Sequence, residues 1–101
     1  ERILARIPDD AEVIALTRTG RGSGSAELAK TLGELAVRSV RQVVFVLGGA
    51  YGLDARVLGR AQRRLSLSPM TLPHEMARLV LAEQLYRAGT IIRGEPYHKG
   101  A

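Results

Sequence analysis

The stretch at residues 65–74, L-S-L-S-P-M-T-L-P-H, carries a dense set of groups that could bind a small ligand. Pro69 and Pro73 each fix one φ angle, and each pushes the residue before it out of helical geometry. The sequence therefore predicts a tight, rigid and partly polar loop. Such a loop can hold backbone N–H and C=O groups in fixed positions, which suits recognition of a small polar ligand.

A glycine-rich turn, G-G-A-Y-G at residues 48–52, follows the strongest strand pattern in the chain, Val43–Leu47. Strand, glycine turn and helix form the unit that carries ligands at the carboxyl ends of strands in open α/β sheets. Glycine there lets a ligand approach the backbone. The spacing G-x-G-x-x-G is not met, so the turn alone is a weak signal. We predict that this turn and the loop at residues 65–74 form one site.

Basic residues follow the glycine turn. Arg56, Arg60 and Arg63 stand at helical spacing and could track phosphates, although a solvated outer face is the alternative. The net charge is +5, and residues 54–101 carry 8 Lys/Arg against 4 Asp/Glu. Of the 15 basic residues 13 are arginine, the better side chain for bidentate phosphate contacts. The charge favours an anionic partner, with nucleic acid first, and fits an Arg-rich protein with solvated basic faces equally well.

The two histidines lie in different settings. His74, in a first helical turn, is expected to make a local hydrogen bond rather than to act in catalysis. His98 lies in a tail between Tyr97 and Lys99; such a cluster can stack on a base and touch a phosphate, although a tail histidine is most often merely solvated. The two histidines are too few and too far apart to predict a metal, and no nucleophile-elbow motif is present.

The elements that must position these groups alternate along the chain. We predict helices at residues 1–7, 26–38, 55–63 and 73–88, and strands at residues 13–16, 43–47 and 65–68, with a last strand or extended segment at residues 90–93. Residues 20–25 are expected to be a connector in which Ser25 or Ser23 caps the next helix. Asp54 is expected to cap the third helix, and Gly89 to end the fourth.

This order predicts one α/β domain over residues 1–101, with a parallel-type sheet and helices on both faces. The strand at residues 13–16 should be buried on both faces, and the strand at residues 43–47 should be central. The chain has no cysteine, no membrane-spanning apolar run and no visible signal peptide, so we expect a cytoplasmic protein. It opens in what reads as the end of a helix, so we expect a piece of something longer.

Long motifs in this sequence resemble a known family. Residues 65–88, L-S-L-S-P-M-T-L-P-H-E-M-A-R-L-V-L-A-E-Q-L-Y-R-A, and residues 91–99, I-I-R-G-E-P-Y-H-K, closely resemble the C-terminal half of the RlmH family. These are SPOUT-class ribosomal RNA methyltransferases. F-V-L-G-G-A-Y-G-L resembles the family's glycine turn, and V-I-A-L-T-R-T-G the strand before it. The resemblance covers nearly the whole chain.

The resemblance implies a SPOUT fold with a deep trefoil knot near the C terminus, a rare exception to the rules of chain threading. It implies a homodimer that uses S-adenosyl-L-methionine to methylate N3 of a pseudouridine in large-subunit rRNA on the assembled ribosome. Family members begin with a further strand and helix that this sequence lacks. The alternative is therefore a non-catalytic remnant that dimerises or binds RNA without turnover. A third and weaker alternative is a nucleotide-binding module of the flavodoxin type, which would need a phosphate-binding turn richer in Ser and Thr than residues 48–52.

Carried onto this sequence, the resemblance implies roles for particular residues. The cofactor would be held by Leu16, Gly48, Gly49, Gly52, Leu67, Ser68, Pro69, Met70, Thr71 and Leu72. Tyr97, His98 and Lys99 match the family's tail, which serves methyl transfer and the RNA substrate. Arg56, Arg60 and Arg63 are added as RNA-binding candidates from their spacing and charge, not from the resemblance. His98 is the candidate base for the N3 proton because its unperturbed pKa is near neutral, although water could serve.

Overall fold

The structure, a computed structural model, describes residues 2–48, 53–68 and 70–95. The elements, in chain order, are α1 (Arg2–Arg6), β1 (Glu12–Gly22), α2 (Ser25–Val37), β2 (Val43–Leu47), α3 (Ala55–Arg60), β3 (Arg63–Ser66) and α4 (His74–Ile92). The predicted alternation of helices and strands is therefore confirmed up to α4.

The described strands form a parallel sheet in the order β2-β1-β3. β1 is the central strand, and its residues Val13, Ile14 and Ala15 are almost completely buried, as predicted. The prediction that β2 is central is wrong for the described sheet, because β2 pairs with β1 alone and lies at the edge. Its uniformly apolar sequence reflects helices packed near it rather than strands on both sides.

Helices cover both faces of the sheet, as predicted. One apolar cluster joins Ile7, Val13, Val46 and Val57 and so ties α1 and α3 to β1 and β2. The cluster on the α2 and α4 side joins Leu28, Ala29 and Ala88, with Leu32, Leu65 and Leu85 packed against it. The sheet is thereby held between two helical layers, which is the α/β architecture that the strand and helix pattern indicates.

The chain after Leu16 differs from the predicted connector. β1 continues to Gly22, and its pairing with β3 shifts so that Leu65 is the partner of both Leu16 and Arg21. A Cβ on Gly20 would lie 2.9 Å from backbone atoms of Arg64 and Leu65, so only glycine allows this approach. The segment between the two pairings therefore lies against the end of β3.

The start of α2 also differs from the prediction. Gly24, rather than Ser25 or Ser23, is the N-cap, and Glu27 Oε1 accepts a hydrogen bond from the Gly24 N–H at 3.3 Å. The Ser25 hydroxyl instead donates to the side-chain oxygen of Gln84 on α4. The Ser25 hydroxyl, which the local sequence predicts to cap α2, is therefore used in a tertiary contact with α4.

α3 ends at Arg60 instead of Arg63 because Gln62 bonds to the sheet. The Gln62 N–H donates to the Val13 carbonyl at 3.0 Å, and Gln62 Oε1 accepts from the Val13 N–H at 2.8 Å. These two bonds hold the chain in register with β1 before β3 begins at Arg63.

α4 runs through Gly89, and the predicted cap at Gly89 and strand at residues 90–93 are wrong. Thr90 is fully buried, and its hydroxyl donates to the Arg87 carbonyl at 2.7 Å, which accommodates a β-branched residue in the helix. The helix ends at Ile92 with Arg93 as its C-cap, and Gly94 follows with a φ of +75°, which favours glycine. The N–H groups of Gly94 and Glu95 close the turn on the carbonyls of Ile91 and Thr90, at 3.1 and 2.8 Å.

Within the described ranges, no helix has the length and apolar character needed to cross a membrane. The trefoil knot that the resemblance implies stays a prediction.

Candidate functional site

β2 and β3 end close to the register position of Leu16 on β1, and two of the predicted cofactor segments follow these two strands. Leu16 on β1 pairs in register with Leu47 on β2 and with Leu65 on β3. Gly48 follows Leu47 directly, and Leu67 lies two residues beyond Leu65. The ends of parallel strands at such an edge are where open α/β sheets bind ligands. The register therefore sets Leu16 beside Leu47 and Leu65, and Gly48 and Leu67 follow these two partners one and two residues later.

The site residues that the structure describes form a partly covered, largely apolar rim. Leu16, Gly48, Leu67, Ser68 and Leu72 are half-buried, so each presents some surface to a ligand. Thr71 is exposed, and Met70 is 73% exposed. Gly49, Gly52 and Pro69 lie outside the described residues.

Hydrogen bonds fix the backbone after β3. The Met70 N–H donates to the Ser68 hydroxyl at 2.9 Å. The Ser66 hydroxyl donates to the Arg18 carbonyl at 3.1 Å and joins β3 to the continuation of β1. This segment therefore has the constrained backbone that its prolines predict.

Sequence reasoning missed two residues at this edge. Gly20 carries a usable signal, because an isolated glycine soon after an apolar strand often marks close approach of another backbone. Thr17 carries no such signal. Its hydroxyl oxygen is buried and has no hydrogen-bond partner among the described residues, although Thr17 directly follows Leu16.

Asp54 caps α3, as predicted. Its Oδ1 accepts a hydrogen bond from the Arg56 N–H at 2.7 Å, and the Arg56 Nε lies 3.5 Å away. These bonds, the backbone one first, lower the pKa of Asp54 below its usual value. The cap therefore contributes fully above the ordinary pKa of aspartate and is lost as the pH falls through the lowered value. It fixes where α3 begins, a few residues after Gly48.

Arg60 is engaged by the fold rather than presented on an outer row. Its Nη2 lies within hydrogen-bond distance of the carbonyl oxygens of Pro8, Asp9 and Ala11, at 3.0, 3.2 and 3.0 Å. Its Nη1 donates to Gln62 Oε1 at 3.3 Å. The guanidinium thus clamps the turn between α1 and β1 onto the end of α3.

The predicted helical row of arginines is wrong as a structural unit. Arg63 lies on β3, where its Nε is 3.0 Å from Glu12 Oε2 in a half-buried ion pair. Arg56 remains on α3 and is exposed. The RNA-binding roles of Arg56, Arg60 and Arg63 stay predictions, and Tyr97, His98 and Lys99 lie outside the described residues.

A concavity of about 310 Å³ lies along β2. Its floor is apolar strand, and three basic side chains surround it: Arg6, His74 and Arg78. His74 is exposed at the start of α4. Among the described residues, no group of three or more His, Cys, Asp or Glu side chains could hold a metal ion.

The parallel sheet with helices on both faces defines an α/β protein. A family model described as "Predicted SPOUT methyltransferase" matches residues 1–98, and the chain belongs to the SPOUT methyltransferase family. The resemblance to RlmH proteins is confirmed by relatives that carry the name Ribosomal RNA large subunit methyltransferase H.

The relative from Gemmatimonas aurantiaca is 61% identical over 99 residues, which cover 98% of this chain and 64% of the relative. The relative from Clostridioides difficile is 54% identical over 99 residues, covering 98% of this chain and 62% of that protein. The relative from Listeria monocytogenes serotype 4a is 54% identical over 98 residues, covering 97% and 62%. The chain therefore spans less than two thirds of the length of these relatives.

Proposed function

We propose that this chain binds S-adenosyl-L-methionine and methylates N3 of a pseudouridine in large-subunit rRNA on the assembled ribosome. The observation that carries the proposal is the register that pairs Leu16 with Leu47 and with Leu65, just before the glycine turn and the loop after β3. Family membership and the names of the relatives support an rRNA methyltransferase. We further propose that the protein acts in the cytoplasm, where its substrate would be found.

The residues at the edge fit this cofactor. Its adenine ring is flat and apolar on both faces, and half-buried Leu16, Leu67 and Leu72 offer apolar surface of that kind. Gly48 has no side chain, so a ligand can reach its peptide groups. The Thr17 hydroxyl, which has no hydrogen-bond partner among the described residues, supplies a polar group that a ligand could pair with.

The cofactor, when bound, supplies a methyl group on a positively charged sulfur, which needs little further activation. The protein's part is then mainly positioning, because transfer requires the methyl carbon and N3 to lie in line. The loop after β3 and the glycine turn would orient the methyl group toward the RNA. Transfer to N3 releases the N3 proton, and the His98 imidazole would accept it. The proposed reaction requires no metal ion.

The outer face of α4 supports a homodimer. Met76, Leu79 and Tyr86 lie on one side of this helix and are 48%, 64% and 56% exposed. Their spacing makes one apolar stripe, which a second copy of the chain would cover. We propose that RNA docks beside this interface, with Arg56 and Lys99 among its phosphate contacts.

The His98→Ala variant tests the chemical role of the tail. Loss of a general base is expected to reduce methyl transfer by about 10²-fold or more, because proton transfer contributes about that much. Affinity for the cofactor should stay nearly unchanged, since Leu16, Gly48 and the loop after β3 are intact. The measurements are methyl transfer to ribosomes that lack the modification and calorimetric titration with S-adenosyl-L-methionine.

His74→Ala is the matched control, because His74 is exposed at the start of α4 and should affect neither quantity strongly. Equal losses of methyl transfer and cofactor affinity in His98→Ala would contradict a role on the RNA side. A non-catalytic protein that dimerises or binds RNA without turnover is the alternative. Absence of cofactor binding by a folded dimer would support it.

A further inference from the structure

Thr17 holds a buried polar group that the fold leaves unused. Its hydroxyl oxygen is almost completely shielded from solvent and has no hydrogen-bond partner among the described residues. Burying a hydroxyl without a partner is unfavourable, so such groups in folded proteins are usually paired. An unpaired hydroxyl next to a ligand site is therefore a candidate for pairing with the ligand.

Strand geometry places this hydroxyl beside Gly48. Val13 pairs with Val44, and Ala15 pairs with Val46, so these residues share one face of the sheet. Side chains alternate along a strand, and Thr17 and Gly48 are the next positions on that same face. Gly48 contributes no side chain at this position, so a ligand at the end of β2 could reach the Thr17 hydroxyl once the groups that cover it give way.

Leu53, the first residue after the glycine turn, packs on this same face of the sheet. The apolar cluster of Val13, Val46 and Val57 has Leu53 packed against it, and Leu53 follows the turn directly. Thr17 thus lies on the side of the sheet where the turn leaves β2 and returns to α3. A charged ligand group placed over this apolar cluster would lose its hydration, whereas a neutral polar group would not carry that cost.

We propose that the Thr17 hydroxyl hydrogen-bonds the adenosine half of the bound cofactor and so positions it at the strand ends. This inference rests on the proposed function. A threonine hydroxyl both donates and accepts, so it can pair with a ribose hydroxyl or an adenine nitrogen. The charged amino-acid half of the cofactor is then held elsewhere, and Thr17 is a positioning residue rather than a catalytic one.

The test compares Thr17→Val and Thr17→Ser by calorimetric titration with two probes. S-adenosylhomocysteine carries both halves of the cofactor, and 5′-methylthioadenosine carries only the adenosine half. Thr17→Val removes the hydroxyl at nearly constant shape and should weaken both probes by about 3- to 10-fold, the usual effect of one neutral hydrogen bond. Thr17→Ser keeps the hydroxyl and should bind both probes within about 2-fold of wild type.

The midpoint of thermal unfolding of the ligand-free chain separates this role from a structural one. A hydroxyl that lacks a partner without ligand should be better replaced by a methyl group, so Thr17→Val should raise the midpoint while weakening the probes. A lowered midpoint with unchanged affinity would overturn the inference, since the partner would then belong to the protein. If Thr17→Val weakened the binding of S-adenosylhomocysteine but not that of 5′-methylthioadenosine, the assignment of this contact to the adenosine half would be overturned. A folded wild-type chain that binds neither probe would instead overturn the proposed function itself.

Discussion

Gly48 is the residue whose substitution most directly tests the site. It follows the paired residue Leu47 and stands at the level of the strand ends, where a ligand must approach the backbone. Gly48→Val is expected to abolish cofactor binding in a folded protein, because the branched side chain would occupy the approach surface. Calorimetric titration measures the affinity, and circular dichroism measures the fold.

Gly59→Ala is the control substitution. Gly59 lies on α3, and a Cβ there would meet no other atom within 4 Å. The change should leave cofactor affinity unaltered and stabilise the helix by roughly 0.5–1 kcal/mol, since alanine is the better helix former. Wild-type affinity in Gly48→Val would mean that the glycine turn is not part of the site.

At the residue scale, the sequence predicts groups whose role is set by their immediate neighbours. Asp54 is an example, because a cap needs only the backbone of the next turn. Thr17 and Ser25 are counterexamples. The Thr17 hydroxyl has no partner among the described residues, the Ser25 hydroxyl pairs with Gln84, and both outcomes depend on elements distant in sequence. Nothing in the residues around them indicates those contacts.

At the scale of elements, Arg60 joins the end of α3 to the turn between α1 and β1. Its three carbonyl partners, on Pro8, Asp9 and Ala11, are 52, 51 and 49 positions away. Arg60→Ala is expected to lower the free energy of unfolding by about 1–3 kcal/mol, because carbonyl groups in a half-buried turn lose a charged donor. Chemical denaturation measures this change.

Arg60→Lys distinguishes this clamp from an RNA contact. Lysine keeps the charge but cannot span the three carbonyls as the planar guanidinium does, so it should be nearly as destabilising as alanine. The exposed Arg64, substituted by alanine, is the control and should change stability by less than about 0.5 kcal/mol. Wild-type stability in Arg60→Lys would contradict the clamp.

The element boundaries show which local patterns can be overridden. T-I-I-R at residues 90–93 reads as a strand because it is rich in β-branched residues, yet it completes α4. Burial of Thr90 against the fold and the left-handed Gly94 decide the outcome, and only Gly94 is visible locally. β1 likewise extends past its apolar run because Gly20 can lie against β3.

At the scale of the whole molecule, the apolar stripe of α4 predicts an oligomer. Leu79 is 64% exposed at the middle of the stripe, so Leu79→Asp should convert a dimer into a folded monomer. Val37→Asp is the control, because Val37 is 84% exposed at the last position of α2 and is not part of the α4 stripe. Sedimentation equilibrium measures both variants. A dimer that persists in Leu79→Asp, or one lost in Val37→Asp, would contradict the assignment of the interface to α4.

The sheet as a whole was predictable in class but not in order. Apolar runs between helices predict parallel strands with helices on both faces, and the structure confirms both features. The apolar runs of β1 and β2 do not indicate which of the two strands is central, because both strands are largely apolar along their paired residues. The candidate site could be placed at one edge of the sheet without knowing the strand order, since the ends of parallel strands meet there, and its residues stay a prediction.

Calorimetric titration of this chain with S-adenosyl-L-methionine tests the central claim most directly. The account predicts saturable binding at one site per chain or per dimer, in a chain that circular dichroism shows to be folded. It also predicts that Gly48→Val removes this binding without unfolding the protein. A folded chain that produces no binding heat with S-adenosyl-L-methionine or S-adenosylhomocysteine would contradict the claim that the strand ends form a cofactor site.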